Sequence, residues 1–104
     1  MRAETLKGHL DFLLLAILSD EPAHGYRIIE ELKRRSAGAF DLPEGTVYPA
    51  LHRLEQRGLL ASSWASGSGR RRRVYRLTAR GRRGLAGARR DWRGFTRAVE
   101  AVVT

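Results

Sequence analysis

A mainly α fold with one small β-hairpin is predicted by three features of the sequence. Three apolar stretches with helical spacing precede residue 58, a strand–turn–strand stretch follows over 59–77, and a heptad-spaced segment runs from Thr78 to Val103. A chain of 104 residues is the size of one domain. With 42% hydrophobic residues it carries enough apolar surface for a core. It contains no cysteine, which removes disulfides, thiolate metal sites and cysteine nucleophiles together and fits a reducing cytoplasm. The longest apolar run, Phe12 to Leu18, is seven residues, well short of the roughly 20 a membrane span needs. Met1 and Arg2 are followed by Glu4, and no cleavage-type pattern follows the apolar run, so no export signal is read and a cytoplasmic location is expected.

The first helix is Leu10 to Leu18. Leu10, Leu13, Leu14 and Ile17 follow the i, i+3, i+4, i+7 stripe, and Phe12, Leu15 and Ala16 add apolar surface on other faces. A helix apolar almost all round is buried on several sides, which points to a second subunit. Asp20 to Gly25 reads as a turn, because Pro22 cannot continue the helix. Tyr26 to Arg35 reads as the second helix, with Tyr26, Ile29 and Leu32 on one side and Glu30, Lys33 and Arg34 toward water. A third helix lies between Pro43 and Arg57, its buried stripe formed by Val47, Ala50, Leu51 and Leu54. Pro49 leaves two starts open: a cap at Thr46, or a start near Pro43 with a kink at Pro49. Gly58 closes this helix as a left-handed cap.

Leu59 to Trp64 and Arg73 to Leu77 are the strand-like runs. Between them Ser66-Gly67-Ser68-Gly69 and an arginine run predict a flexible, basic hairpin tip. In the last segment Thr78, Gly81, Leu85, Ala88, Trp92, Phe95, Val99 and Val102 are spaced 3, 4, 3, 4, 3, 4, 3, an a/d seam. Gly81, Gly84, Gly87 and Gly94 weaken this helix by about 1 kcal/mol each relative to Ala, so it is expected to be held by packing against another chain.

Charge is distributed unevenly along this order. Residues 1–69 carry eight basic and nine acidic side chains, whereas residues 70–104 carry twelve basic and two acidic. A polyanion partner, nucleic acid first, follows from that excess. Helix, helix, helix, basic hairpin and long helix is the order of a winged helix-turn-helix plus a C-terminal dimerisation helix. Residues 1–77 form the first part, residues 78–104 the second, and the two make one structural unit. A helix fits the major groove and a basic hairpin reaches phosphates or the minor groove. On the third helix the outward residues are Thr46, Tyr48, Pro49, His52, Arg53 and Gln56, and the wing carries Arg70, Arg71, Arg72 and Arg73.

Several motifs in this order are specific. They are Pro22-Ala23-His24-Gly25-Tyr26, Gly45-Thr46-Val47-Tyr48-Pro49, Arg53-Leu54-Glu55 with Gly58-Leu59-Leu60, Arg73-Val74-Tyr75-Arg76-Leu77-Thr78 with Gly81, and Trp92. Through them the chain resembles the PadR family of bacterial transcriptional regulators, in its shorter subgroup with a single C-terminal helix, over about residues 8–100. Val47 stands where the family usually has Leu, and Pro43 stands where many members have a capping Ser. The resemblance implies a homodimer joined through the first and last helices, with Leu10, Leu14, Leu85, Ala88, Trp92, Phe95, Val99 and Val102 at the interface. It implies repression of a promoter with a two-fold operator, relieved by a small molecule. It further implies contact of double-stranded DNA by Thr46, Tyr48, His52, Arg53 and Arg70 to Arg73. Some members stack a planar effector on a tryptophan of the last helix, and Trp92 matches that place.

Other classes fit less well. An RNA-binding winged helix uses surface aromatic pairs for stacking bases, and the sequence offers none. A protein-interaction winged helix leaves the basic wing without a task. No nucleophile–base pair, paired carboxylates or cofactor loop suggests an enzyme, so neither catalysis nor a cofactor is expected. His9, His24 and His52 lack the spacing of a metal site, so no metal is expected.

Overall fold

The computed structural model describes residue 6, residues 8–67 and residues 69–104. The chain start read for an export signal, and Ser68 of the hairpin tip, lie outside these residues. Helix α1 spans Leu10–Leu18, strand β1 Ala23–His24, α2 Gly25–Arg35, α3 Glu44–Gln56, β2 Leu60–Gly67, β3 Arg70–Leu77 and α4 Ala79–Val103. The strands form one antiparallel sheet in the order β1-β3-β2. None of the helices among the described residues is long and apolar enough to cross a membrane.

One core joins all four helices to the sheet. Leu14 of α1, Ile28 of α2, Val47, Leu51 and Leu54 of α3 and Leu60 of β2 are its most enclosed side chains, and Tyr75, Leu77 and Leu85 close it from β3 and α4. Helix α1 is central. Its Leu10, Leu14, Leu15, Ile17 and Leu18 are buried, and Phe12, Leu13 and Ala16 are partly buried against the same core. A single chain therefore covers most of α1. Of the expected interface positions, Leu10, Leu14 and Leu85 are 9%, 0% and 2% exposed and pack into the chain's own core.

Three further expectations change. Tyr26 is 59% exposed, and the buried positions of α2 are Gly25, Ile28, Glu31 and Leu32. Glu31 tolerates burial because Arg34 donates two hydrogen bonds to it, at 2.7 and 3.0 Å, and Arg35 adds a third contact. That hydrogen bonding holds its carboxyl down to about 2. The turn before α2 contains a strand, since Ala23 and His24 pair with Tyr75 and Val74. The hairpin is also longer than its strand-like runs. Pairing continues from Leu60↔Leu77 to Gly67↔Arg70, and Gly69 stands at φ 75°.

Helix α3 starts at Glu44 with Pro43 as its cap, and it runs without interruption through Pro49. A proline ring inside a helix crowds the residue four positions earlier. Here the group concerned is the Gly45 carbonyl, in the first turn of α3, which also loses its N–H donor. At the far end Gly58, at φ 78°, closes α3 as expected: Gly58 N–H donates to Glu55 O and Leu59 N–H to Leu54 O, both at 3.0 Å. Helix α4 starts at the same corner. Thr78 Oγ1 donates to Gly58 O at 2.7 Å and accepts from Gly81 N–H at 3.0 Å, and a methyl group at Gly81 would collide with the Leu59 carbonyl.

Two glycines of α4 should therefore respond in opposite ways to alanine. Gly81→Ala is expected to destabilise the fold by about 1–3 kcal/mol through overpacking. Gly94→Ala, at an exposed site with open space around it, is expected to stabilise by about 0.5–1 kcal/mol. Urea unfolding midpoints of the two variants against wild type check the opposite signs.

Candidate nucleic-acid interface

The amphipathic spacing of α3 decides what it shows to solvent. Val47, Ala50, Leu51 and Leu54 are fully buried, so the opposite side is left free. All six predicted reading residues are exposed. Thr46, Pro49, Arg53 and Gln56 follow one another at steps of 3, 4 and 3 and form one strip; Tyr48 and His52 form the next. The Tyr48 ring lies across Gly25 at the start of α2, so closely that a methyl group there would strike it. Partial burial, followed by the nearby Glu44, pushes the Tyr48 phenol up, so the ring stays neutral and keeps its O–H as a donor.

The wing is a continuation of the sheet beyond the core. Side chains alternate between its two faces, and this divides the arginine run. Arg71 and Arg73 lie over the Trp64 ring, at 4.9 and 5.4 Å from its centroid. Arg73 is tied further: its Nε donates to Ser62 Oγ at 2.8 Å, Ser62 Oγ donates to Glu55 Oε2 at 2.6 Å, and Arg73 also pairs with Glu55 at 3.7 Å. Glu55 belongs to α3, so this chain of contacts fixes the wing to the reading helix. On the other face Arg72 Nη1 lies 2.8 Å from His24 Nε2. Cross-strand pairing extends to Arg70, so the whole arginine run lies within strand β3. A cleft of about 370 Å³ joins wing to helix, with Tyr26, Tyr48, Trp64, Arg71, Arg72 and Arg73 among its walls.

Neither the place of Trp64 beside the arginines nor the Arg72 contact of His24 is foreseen by the sequence reading. The only signal for Trp64 was its place opposite the arginine run. For His24 it was the His-Gly turn, which does cap α2: Arg27 backbone N–H donates to His24 Nδ1 at 3.3 Å. A neutral imidazole has one N–H and one lone pair, so it cannot accept from both Arg27 and Arg72.

The remaining predicted residues lie on α4 and the start of α1. Trp92 is 45% exposed and Phe95 60%, and Val99 and Val102 are also exposed on the same seam, while Ala88 is half-buried. The rings of His9, Phe12 and Phe95 stand 5.5, 6.4 and 6.2 Å from the Trp92 ring. Around them is a hollow of about 300 Å³ lined by Gly8, His9, Phe12, Ala88, Asp91, Trp92 and Phe95. No cluster able to hold a metal is found among the described residues.

Residues 14–87, which hold the core, α3 and the wing, match the model of the transcriptional regulator PadR-like family. The chain belongs to the PadR-like family. It is 42% identical over 81 residues to the transcriptional regulator Rv3488 of Mycobacterium tuberculosis, covering 78% of this chain and 73% of that one. A PadR family transcription regulator from hypervirulent Clostridium difficile has the same structure with a TM-score of 0.84 at 32% identity, over 93% of this chain and all of that one. A PadR family regulator from Eggerthella lenta gives 0.84 at 34% identity, over 96% and 86%. A transcriptional regulator from Clostridium thermocellum shares the fold over the full chain, with a TM-score of 0.90 at 23% identity and 99% of that chain covered. This PadR-like chain is a transcriptional regulator with a winged-helix fold.

Burial, and then the positive charge of Arg72, hold the His24 imidazole below its ordinary value of 6.5. A base depressed on folding favours the folded state fully above its unfolded value and less as pH falls through it, because the unfolded chain then binds more protons. Wild type should lose stability between about pH 7 and pH 5 more steeply than His24→Asn, which keeps a capping oxygen and does not titrate. Denaturant midpoints across that range check the divergence, and parallel curves would refute it.

Proposed function

We propose that this chain is a homodimeric, sequence-specific DNA-binding repressor, released from a two-fold symmetric operator by a small planar aromatic effector. The observation that carries the reading is the exposed strip of α3 standing beside an arginine wing tied to it through Glu55, Ser62 and Arg73. Thr46, Tyr48, Pro49, His52, Arg53 and Gln56 read base edges from the major groove, and Arg70 to Arg73 hold phosphates. Residues 1–77 serve as the DNA-binding part and residues 78–104 as the dimerisation helix. Ala88, Trp92, Phe95, Val99 and Val102 meet the partner, because a row of exposed apolar side chains along a helix is stable when a second helix covers it. The hollow beside Trp92 receives the effector, whose flat ring stacks on the indole. A repressor acting on promoter DNA carries out that task in the cytoplasm.

Wing and reading helix should fail differently. Replacing two of Arg70 to Arg73 with Ala is expected to weaken binding to all sequences alike and to lower the slope of log K against log salt by about 0.9 per lost phosphate contact. Replacing His52 or Arg53 should cost about 1–3 kcal/mol on the cognate site and much less on random DNA. Titrations on promoter and random duplexes at several salt concentrations separate the two. Wing variants that lose specificity while helix variants lose only general affinity would reverse the assignment.

The seam is tested by Trp92→Asp, which places a charge between the two α4 helices and should shift sedimentation from dimer to monomer at micromolar concentration. In a Trp64→Phe background, planar aromatics and phenolic acids that release DNA should also quench Trp92 emission. A wild-type monomer, or DNA release with Trp92 emission unmoved, would contradict the respective half of the reading.

A further inference from the structure

The wing does not use up the positive charge of the last third. Of the twelve basic residues in 70–104, seven lie on α4. On a 3.6-residue repeat Arg82, Arg83, Arg89, Arg90, Arg93 and Arg97 fall within an arc of about 120° and span about 23 Å of helix axis. All six are exposed. None is paired with a carboxylate among the described residues, and Glu100, at the end of the arc, pairs with none of them. The arc is turned away from the seam of Leu85, Trp92 and Val99. Only Gly81 and Leu85 of α4 are buried, and every residue from Arg89 onward is exposed, so the array sits on a part of the helix that leaves the core behind.

This arrangement carries a cost. Arg89 and Arg93, and Arg93 and Arg97, are like-charged neighbours at i, i+4, which weakens a helix. Helix α4 is weakened already by its glycines. No internal contact among the described residues offsets the repulsion, so an external polyanion is the natural counterpart. Duplex DNA fits the dimensions. It carries one charge per about 1.7 Å of axis, so about 23 Å of helix faces on the order of a dozen phosphate charges. Guanidinium forks match phosphate oxygens in pairs. An acidic protein partner fits less well, because Ala86 is the one apolar side chain among the arginines of the arc, and stable protein interfaces are centred on larger buried anchors.

We infer that the arginine face of α4 is a second DNA-binding surface, which holds the phosphate backbone of a duplex other than the half-site under α3. No residue of α4 lines the cleft between α3 and the wing, so, given the dimer proposed above, one dimer joins two duplexes.

A bridging assay on the full chain tests this. One duplex is tethered to beads, either the promoter of the protein's own gene or a random sequence, and a second, labelled random duplex of about 30 base pairs is offered in solution. Wild type should carry the labelled duplex to the beads in both cases. Arg89→Gln/Arg93→Gln/Arg97→Gln should carry at least about fivefold less, while its affinity for a single tethered duplex stays within about twofold and its helical circular dichroism is unchanged. Equal capture by variant and wild type, or no capture by wild type, overturns the inference. So does a variant that loses the single tethered duplex in parallel, which would make α4 part of the operator contact, and so does retention of polyglutamate without capture of a second duplex. Failure to prefer promoter over random DNA would instead count against the operator reading and leaves the capture result standing.

Discussion

The arrangement of this molecule rests on one hydroxyl. Thr78 donates to the carbonyl of Gly58, where α3 ends, and accepts from the Gly81 amide, where α4 begins. Its own N–H donates to Leu59 O at 3.2 Å, at the foot of the wing. Three elements that would otherwise pivot independently are thereby held at one corner. The absence of a side chain at Gly81 is part of the same device, because α4 can approach the Leu59 carbonyl only there. The direction of the reading helix, the reach of the wing and the line of the long helix all follow from this corner, and the leucines around it supply the adhesion.

From the corner outward, polar contacts continue what packing begins. Leu60 and Leu77 are buried at the base of the hairpin, but residues 63–67 and 70–73 stand in solvent. Apolar burial cannot order a strand pair there. Order comes from cross-strand pairing, from the arginines stacked on Trp64 and from the Glu55–Ser62–Arg73 chain. Each contact is modest and partly screened by water. Together they link the angle of the wing to α3, so the two elements are positioned as a pair. His24 adds a contact from the other side of β3, with Nδ1 turned to the Arg27 amide of α2 and Nε2 to Arg72.

The features legible in the sequence are those that local chemistry determines. The apolar run gives α1 as Leu10–Leu18, the 3.6 period of Val47, Ala50, Leu51 and Leu54 picks the buried face of α3, and Gly58 marks its end. Both the wing and the outward strip of α3 were legible in the same way. The full length of the hairpin was not, because Ser, Gly and Arg have little intrinsic preference for strands and pairing across the sheet overrides it. Strand β1 exists only through its two partners on β3. Tyr26 shares the stripe of Ile29 and Leu32 in the sequence, yet it is exposed and Ile28 is the buried residue. Periodicity also cannot say whose core a leucine enters, which is why Leu10, Leu14 and Leu85 suited a partner subunit as well as their own chain.

The four consecutive arginines of β3 have a consequence for how the wing can vary. A strand shifted by one residue turns each side chain to the opposite face. In most strands such a slip would destroy the surface chemistry. Here a slip confined to the tip exchanges arginine for arginine: Arg72 would replace Arg73 opposite Trp64, and both faces would keep their charge. Tyr75 and Leu77 cannot take part, since their burial locks the base of the strand. The wing therefore combines a register that is fixed at the root with an outer surface insensitive to register. An insertion or deletion near the turn would leave positive charge on both faces.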